Sequence, residues 1–332
     1  ILIAFVLLMI PAYIGNSNYD VYYKLDESLP KDLAFNVANN DLAKKFGITS
    51  PEIIILDKNI SSSEIESLTT ELKDVKGIDL VLSPSELVNN GLETIIPDSL
   101  QEMFNNDKYQ LILTNSTYEI ASDDLNNQLT AVNKIVHKYD KKAIVAGEGA
   151  LMKDLITIAD HDFNMVNYTS LAVIFVIMLI VLKSLSLPIV LSLVIEFAIF
   201  VNMSIAYYTG TSLPFIASIV VGTIQLGATI DYAILMSTKY IEERQNSSNK
   251  EKCMEKTLQF TIPSIITSAL CFFAATASVG FYTKIDMIGS ICNLLARGSL
   301  ISMVAVIFIL PSLLMLSDKI ILKNKNAKKE GI

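Results

Sequence analysis

Long uncharged apolar segments alternate along the chain with one extended stretch of mixed polarity. A helix needs about 20 mostly apolar residues to cross a bilayer. Five segments in the second half approach or reach this length, at 168–183, 187–208, 213–236, 261–280 and 297–317. The chain also opens on an apolar run, ILIAFVLLMIPAYIG, which we interpret as the end of a first membrane helix. The pattern therefore predicts six transmembrane helices, the first of them truncated.

The stretch between the first and second apolar segments has the pattern of an α+β domain. Short apolar strands there alternate with amphipathic helices in the order β-α-β, and this order occurs twice. The predicted elements are strand 51–56, helix 62–75, strand 78–82, strand 108–116, helix 122–139 and strand 141–147. Two such units form a split β-α-β sandwich of ferredoxin-like type. We accordingly divide the chain into a first helix (1–14), this domain (15–167), a five-helix bundle (168–318) and a basic tail (319–332).

Charge is distributed unevenly between these parts and predicts their orientation. Residues 15–168 contain 25 acidic and 13 basic residues, whereas the rest contains 9 acidic and 13 basic residues. The bases outside the domain cluster in the 239–256 loop and in the tail, and such bases mark the cytoplasmic side. The sequence therefore predicts a multi-pass protein of the cell membrane, with 15–167 extracytoplasmic and the C-terminus cytoplasmic. An acidic domain repels phosphates, so nucleic-acid binding is disfavoured.

Cofactor chemistry has little support in the sequence. The three cysteines, Cys253, Cys271 and Cys292, all lie outside the 15–167 domain, which must fold without disulfides. His137 and His161 have no further ligand at metal-binding spacing. A phosphate-binding loop of the G-x-x-x-x-G-K-[ST] type does not occur. We predict neither a metal nor an organic cofactor.

Two carboxylates fall inside predicted membrane helices. Burying an ionisable group there costs free energy, so each of them is a candidate functional residue. Asp231 lies in GTIQLGATIDY, about 12 Å along the helix from Lys239. A buried carboxylate holds its proton more tightly and can release it when water enters, which is the chemistry of a proton carrier. Glu196 lies at about the same predicted depth on the preceding helix, so the two carboxylates are candidates for a coupled pair. Hydrogen bonding to a neighbouring helix is the alternative role for Glu196.

The remaining polar positions of these helices support this site or mark helix ends. Gly227 lies one turn before Asp231 and leaves room for a neighbouring helix or water. Gly222, Gln225, Thr229 and Tyr232 recur at helical spacing and form a small, polar stripe beside it. Arg297 falls at the start of the last predicted span, and we interpret it as an interfacial anchor. Pro311, late in that span, predicts a kink.

These features together resemble those of a known family. One span, a β-α-β/β-α-β domain and five further spans resemble one repeat of the resistance–nodulation–division superfamily. The GATIDY stretch is similar to the G-x-x-x-D-Y motif of its MMPL branch, and the ending ARGSLISMVAVIFILPSLLML is similar to the family's last span. The resemblance covers nearly the whole chain. It implies that Asp231 is the proton-relay carboxylate, Tyr232 its hydroxyl partner and Gly227 the leading glycine of the motif.

The resemblance also implies a function and a partner. The function is export of lipids or other hydrophobic molecules, driven by the proton motive force. Family members contain two repeats and twelve membrane helices, with a D-Y pair from each half. Since this sequence has one copy, we expect either a second repeat, with this chain as the C-terminal half, or a half-length protein that dimerises.

Two other function classes remain open. The first is a non-transporting lipid sensor or scaffold of the same fold, in which Asp231 is only structural. The second is an intramembrane aspartyl protease, which needs two catalytic aspartates in apposed spans, whereas Asp231 is the one mid-span aspartate of the sequence. We therefore predict that the protein is not an enzyme. The coupling ion also stays open, because a carboxylate with the Thr229 oxygens suits sodium as well as a proton.

Overall fold

A computed structural model describes residues 1–23, 29–89, 104 and 108–329. The chain forms two compact units, one made of Ile1–Tyr22 with Asp160–Ile332 and the other of Tyr23–Ala159. We call them the membrane unit and the small unit. The last three residues of the predicted basic tail, 330–332, lie outside the described residues.

The secondary structure follows the chain in this order. From the first residue to the end of the small unit's sheet, the elements are α1 (Leu2–Ser17), β1 (Val21–Tyr22), α2 (Ala34–Phe46), β2 (Ser50–Asp57), α3 (Ser62–Lys73), β3 (Ile78–Leu82), α4 (Pro84–Asn89), β4 (Tyr109–Ser116), α5 (Asp123–Tyr139) and β5 (Ile144–Gly147). Those that follow are α6 (Glu148–Leu182), α7 (Ser186–Thr209), β6 (Leu213–Pro214), α8 (Ala217–Asn246), α9 (Lys250–Tyr282), α10 (Asp286–Val304), a π-helical turn (Ala305–Ile309) and α11 (Leu310–Lys329).

The small unit is built on an antiparallel sheet with strand order β3-β4-β2-β5. Its connectivity is β-α-β-β-α-β, because α3 joins β2 to β3 and α5 joins β4 to β5. Ser61 and Glu64 form a reciprocal capping box at the start of α3, as the serine-rich sequence there predicts. The side chains of Ile54, Leu68 and Val132 are buried in a common core of the sheet and both helices. The six elements predicted from the pattern are present, and α2 and α4 are additional.

The membrane unit contains the apolar helices. Five helical segments of the described chain are long and apolar enough to cross a membrane: Glu148–Leu182, Ser186–Thr209, Ala217–Asn246, Lys250–Tyr282 and Asp286–Ile321. The apolar helix α1, predicted as a truncated first span, has 16 residues. The short strands β1 and β6 pair in parallel, which joins the chain after α1 to the segment before α8.

The last span begins earlier than the sequence pattern predicts. We placed its start at residue 297, but α10 begins at Asp286. The prediction was wrong because glycine, serine and asparagine between 289 and 293 lower the apolar content of the first turns. Near its other end the helix carries a π-helical turn over Ala305–Ile309, directly before Pro311. Such turns are a recognised cause of helix kinks, and the kink at Pro311 stays a prediction.

Candidate functional site

Asp231 lies in the middle of α8, on a face that the rest of the chain leaves open. The residue is exposed, although it belongs to an apolar helix of membrane-crossing length. It lines a cavity of about 290 Å³ between α8 and α9, together with Tyr232, Ser264 and Ser268. Within the described residues, the structure assigns Asp231 no hydrogen bond and no ion pair. A carboxylate without a partner at this depth is costly unless another group or water reaches it.

The polar and small residues predicted on α8 lie on two different faces of the helix. Gln225 and Thr229 are almost completely buried, and Tyr232 is also buried. Asp231 and Gly227 lie on the exposed side, and a Cβ added to Gly227 would meet no atom within 4 Å. The geometry of the helix explains the division, since two residues correspond to about 200° of rotation and four residues to about 40°. Asp231 therefore shares its face with Gly227 and points away from Thr229.

The buried face of α8 belongs to a hydrogen-bond network that also includes α7 and α10. The Asn202 amide donates to Gln225 Oε1 (2.8 Å) and to the Leu294 carbonyl (3.0 Å). Gln225 donates to the hydroxyl of Ser302 (3.1 Å), and Thr229 donates to the same hydroxyl (2.8 Å). Buried polar groups with satisfied partners fix one arrangement of the helices around them. The network thus fixes the rotation of α8 and, with it, the direction of Asp231.

Arg297 is part of this network, and its predicted role as an interfacial anchor is wrong. It is the twelfth residue of α10, which puts it about 16 Å below the start of that helix. Its guanidinium donates to Asn202 Oδ1 (2.9 Å) and to the Asn202 carbonyl (2.7 Å). The error follows from the misplaced helix start. Asn202 and Ser302 were missed altogether, although polar residues inside apolar spans were the available signal.

Glu196 lies in a different cavity from Asp231. This second cavity, of about 250 Å³, is lined by Glu196 on α7, by Gly222 on α8 and by polar side chains that include Asn16, Asn164 and Asn167. Asp231 is not among its lining residues. The structure therefore does not bring the two carboxylates into one cavity, as a directly coupled pair would require. Glu196 is half-buried at the base of a polar pocket of its own.

An ionic contact connects the C-terminal end of α8 to the middle of α11. Arg244 donates to both carboxylate oxygens of Asp318, each at 2.8 Å, and Tyr240 donates to Asp318 Oδ1 at 2.8 Å. We call this group the Asp318 clamp. The side chains of Arg244 and Asp318 are each only 10% exposed. A bidentate arginine–carboxylate pair is both strong and directional. From the sequence, Arg244 was only one of the bases of the 239–256 loop, and Tyr240 and Asp318 were not singled out.

Among the described residues, no group of three or more histidines, cysteines or acids is placed to hold a metal ion. Asp231 lies on an open face of α8, and the buried network of Asn202, Gln225 and Thr229 holds that helix from its other side. Apolar helices of membrane-crossing length in the described chain define its class, a multi-pass membrane protein. The chain belongs to the MMPL family, whose family model matches residues 96–331.

The curated relatives bear names from the same family. The chain is 23% identical over 220 residues to "Probable transport protein MmpL1" of Mycobacterium tuberculosis (strain CDC 1551 / Oshkosh). It is 24% identical over 206 residues to "Probable transport protein MmpL9" of Mycobacterium tuberculosis (strain ATCC 25618 / H37Rv). The matches cover 64% and 58% of this chain, but only 23% and 21% of the relatives. The chain therefore corresponds to less than a quarter of the length of either relative.

Proposed function

We propose that this chain is one repeat of a transporter that exports lipids or other hydrophobic molecules across the cell membrane, driven by the proton motive force. The observation that carries the proposal is the position of Asp231, which lies in the middle of a membrane-length helix, exposed and without a partner in the described chain. A carboxylate held there for structural reasons would have a hydrogen-bonding neighbour. The names of the two relatives, both of them probable transport proteins, agree with this proposal.

In this proposal Asp231 binds and releases the coupling ion. Protonation removes a charge from the apolar layer, so it lowers the cost of moving α8 against its neighbours. Tyr232 supplies a hydroxyl beside the carboxylate, since it lines the same cavity. Gln225 and Thr229 act from the opposite face as positioning residues, because they hold the rotation of α8. Glu196 lies outside the immediate relay and contributes through its own polar cavity.

The open face of α8 is proposed as the surface against which a second repeat or protomer packs. This second part completes a core of twelve helices. Gly227 and Asp231 both lie on this face, and the space above Gly227 is empty. Glycines at helix interfaces allow another backbone to approach closely. A second helix seated there would bring its own polar groups to Asp231, which would remove the cost of leaving the carboxylate without a partner.

The small unit is proposed as the extracytoplasmic porter domain. Its β-α-β-β-α-β connectivity and antiparallel sheet are those of the ferredoxin-like, split β-α-β class. The helix α6 leaves this unit and continues as an apolar helix to Leu182. The bases of the predicted 239–256 loop lie in the last turns of α8 and the first turns of α9. In this topology they and the basic end of α11 lie on the cytoplasmic side, in agreement with the positive-inside rule.

The test is proton flux through the full-length protein in liposomes under an imposed pH gradient, with and without sodium. We expect wild type to take up protons without sodium, Asp231→Asn to remain at the level of empty liposomes, and Glu196→Gln to retain flux. Both variants replace a carboxylate with an amide of similar shape, so folding is compared by size-exclusion chromatography. Equal flux in wild type and Asp231→Asn would contradict the proposal and favour a sensor or scaffold.

A further inference from the structure

The small unit contains a buried carboxylate that the proposed transport site does not use. Glu52 lies in the central strand β2, on the same face as Ile54 and Leu56. It is 3% exposed, whereas both of these neighbours are completely buried apolar residues. Glutamate is almost never fully buried unless it has a partner. The strand therefore places an ionisable group where its alternating pattern calls for an apolar side chain.

The carboxylate of Glu52 faces the beginning of α6. Its Oε1 accepts hydrogen bonds from the backbone N–H of Ala150 (3.2 Å) and from the hydroxyl of Ser50 (3.4 Å). The backbone N–H of Gly149 also donates to the carboxylate. The first N–H groups of a helix have no partners within the helix, so an acceptor placed there is favoured. In contrast, Oε2 is buried and has no hydrogen-bond partner among the described residues.

The backbone around Glu52 is shaped to fit this side chain. A Cβ added to Gly147, at the end of β5, would overlap Oε2 of Glu52. A Cβ added to Gly149, in the first turn of α6, would overlap Oε1. Glycine at these two positions thus allows the end of the sheet and the start of the helix to close over the carboxylate. A larger residue at either position would overlap the carboxylate of Glu52 in this arrangement.

Charges near Glu52 are few, so burial dominates its protonation. The strands β4 and β5, on either side of β2, carry no charged residues. Among the described charged side chains of the packed helices, Glu148 is the one that affects the pKa of Glu52, which it raises by electrostatic repulsion. The others on the nearby turns are Asp123 and Asp124 of α5 and Lys153 and Asp154 of α6. Burial raises the pKa of Glu52 to about 7, against the lowering effect of its hydrogen bonds.

We propose that Glu52 is a proton-controlled joint between strand β2 and the first turn of α6, closed when the carboxylate is protonated and released when it is ionised. The direction follows from linkage. In the closed joint the carboxylate is buried, whereas in an open joint it reaches water and returns to its ordinary affinity for protons. The state that binds the proton more tightly is favoured as the pH falls. Acid therefore closes the joint, and alkaline pH opens it.

The joint lies at the start of the helix that continues out of the small unit. Residues of α6 from Glu148 onward form one continuous helix to Leu182. The first turn of α6 therefore belongs to a helix that is also a candidate membrane span. This inference does not depend on Asp231 or on transport, so it stands or falls separately from the proposed function.

The experiment is amide hydrogen exchange of Gly149 and Ala150 in the full-length protein, from pH 4.5 to 9, corrected for the intrinsic pH dependence of exchange. In wild type we expect the open population to rise about tenfold per pH unit between about 4.5 and 7 and to stay constant above that. Glu52→Gln, which does not titrate, removes this rise. Glu148→Gln is the matched control: it keeps the rise but reaches the constant level at a lower pH, because the repulsion on Glu52 is gone.

Two results would overturn the proposal. One is a wild-type open population that does not change with pH, which needs no variant and so does not depend on how Glu52→Gln folds. The other is a rise in Glu52→Gln that equals the rise in wild type. Since the readout is local exchange and not flux, failure of this inference is distinguishable from failure of the transport proposal.

Discussion

At the scale of single residues, Asn202 is the point at which α7 is hydrogen-bonded to both α8 and α10. Its side chain accepts from Arg297 and donates to Gln225 and to the Leu294 carbonyl. It is completely buried, so water is not available to replace any of these partners. An amide has both donor and acceptor atoms, which is why asparagine suits a position between a guanidinium and a glutamine oxygen.

Asn202→Leu tests this position. Leucine removes the acceptor of a buried guanidinium and the donor to two oxygens, and each buried group left unsatisfied costs about 1–3 kcal/mol. We expect a large loss of the free energy of unfolding, measured by chemical denaturation in detergent. Ser204→Ala is the control, because Ser204 is also buried but bonds only to the carbonyl of Val201 on its own helix. Equal denaturation midpoints for the two variants would show that the network contributes no stability.

At the scale of elements, the Asp318 clamp fixes the end of α8 against α11. Asp318→Asn keeps the shape of the side chain but leaves the charge of Arg244 nearly buried and without its counter-ion. Breaking a buried pair in this way destabilises by about 3–5 kcal/mol. Glu242→Gln is the control, since Glu242 is 62% exposed in its pair with Lys239 and exposed pairs contribute about 1 kcal/mol or less. If the thermal unfolding temperature in detergent falls by the same amount in both variants, the clamp has no particular role in stability.

The elements of the small unit were predictable because each carries a local signal. The alternating burial along β2 and the capping box of α3 both depend on neighbouring residues in the sequence. Helix α2 has no such signal, since none of its residues is buried and Leu33 at its start makes no capping bond. The start of α10 was missed for a different reason: Gly289, Ser290 and Asn293 lower the apolar content of its first turns below that of a typical membrane helix.

The site was predictable only in part. Sequence patterns indicated Asp231, Gln225 and Thr229 as polar residues on one helix. Helical geometry alone places Asp231 about 160° around the helix from Thr229 and about 120° from Gln225. Which of the two faces the rest of the chain covers depends on long-range packing, for which sequence spacing has no signal. The Glu196–Asp231 pairing failed for the same reason, because equal depth on adjacent helices does not place two side chains in one cavity.

At the scale of the whole molecule, two glycines distinguish packing within the chain from packing against a second repeat. A Cβ at Gly298 would lie 2.5 Å from Gln225 Oε1 and 2.6 Å from Asn202 Nδ2. A Cβ at Gly227 would meet nothing within 4 Å. We expect Gly298→Ala to destabilise the chain by about 1–3 kcal/mol through overpacking. Gly227→Ala leaves stability unchanged or raises it by up to about 1 kcal/mol through helix propensity.

Proton flux distinguishes Gly227→Ala from Gly298→Ala in a second way. If a second repeat seats on the open face of α8, Gly227→Ala reduces proton flux although the variant remains stable, because the added methyl group pushes the incoming helix away. Proton flux in liposomes and denaturation in detergent are measured on the same preparations. Full flux in Gly227→Ala would show that no helix approaches that face.

The most direct measurement is the protonation of Asp231 itself. Infrared difference spectroscopy of the full-length protein in lipid, between acidic and alkaline pH, reports the carbonyl stretch of each carboxyl group that gains a proton. We predict a band that is present in wild type and in Glu196→Gln and is lost in Asp231→Asn. A difference spectrum that is identical in wild type and Asp231→Asn would mean that Asp231 does not carry the proton, and would contradict the transport mechanism proposed for this chain.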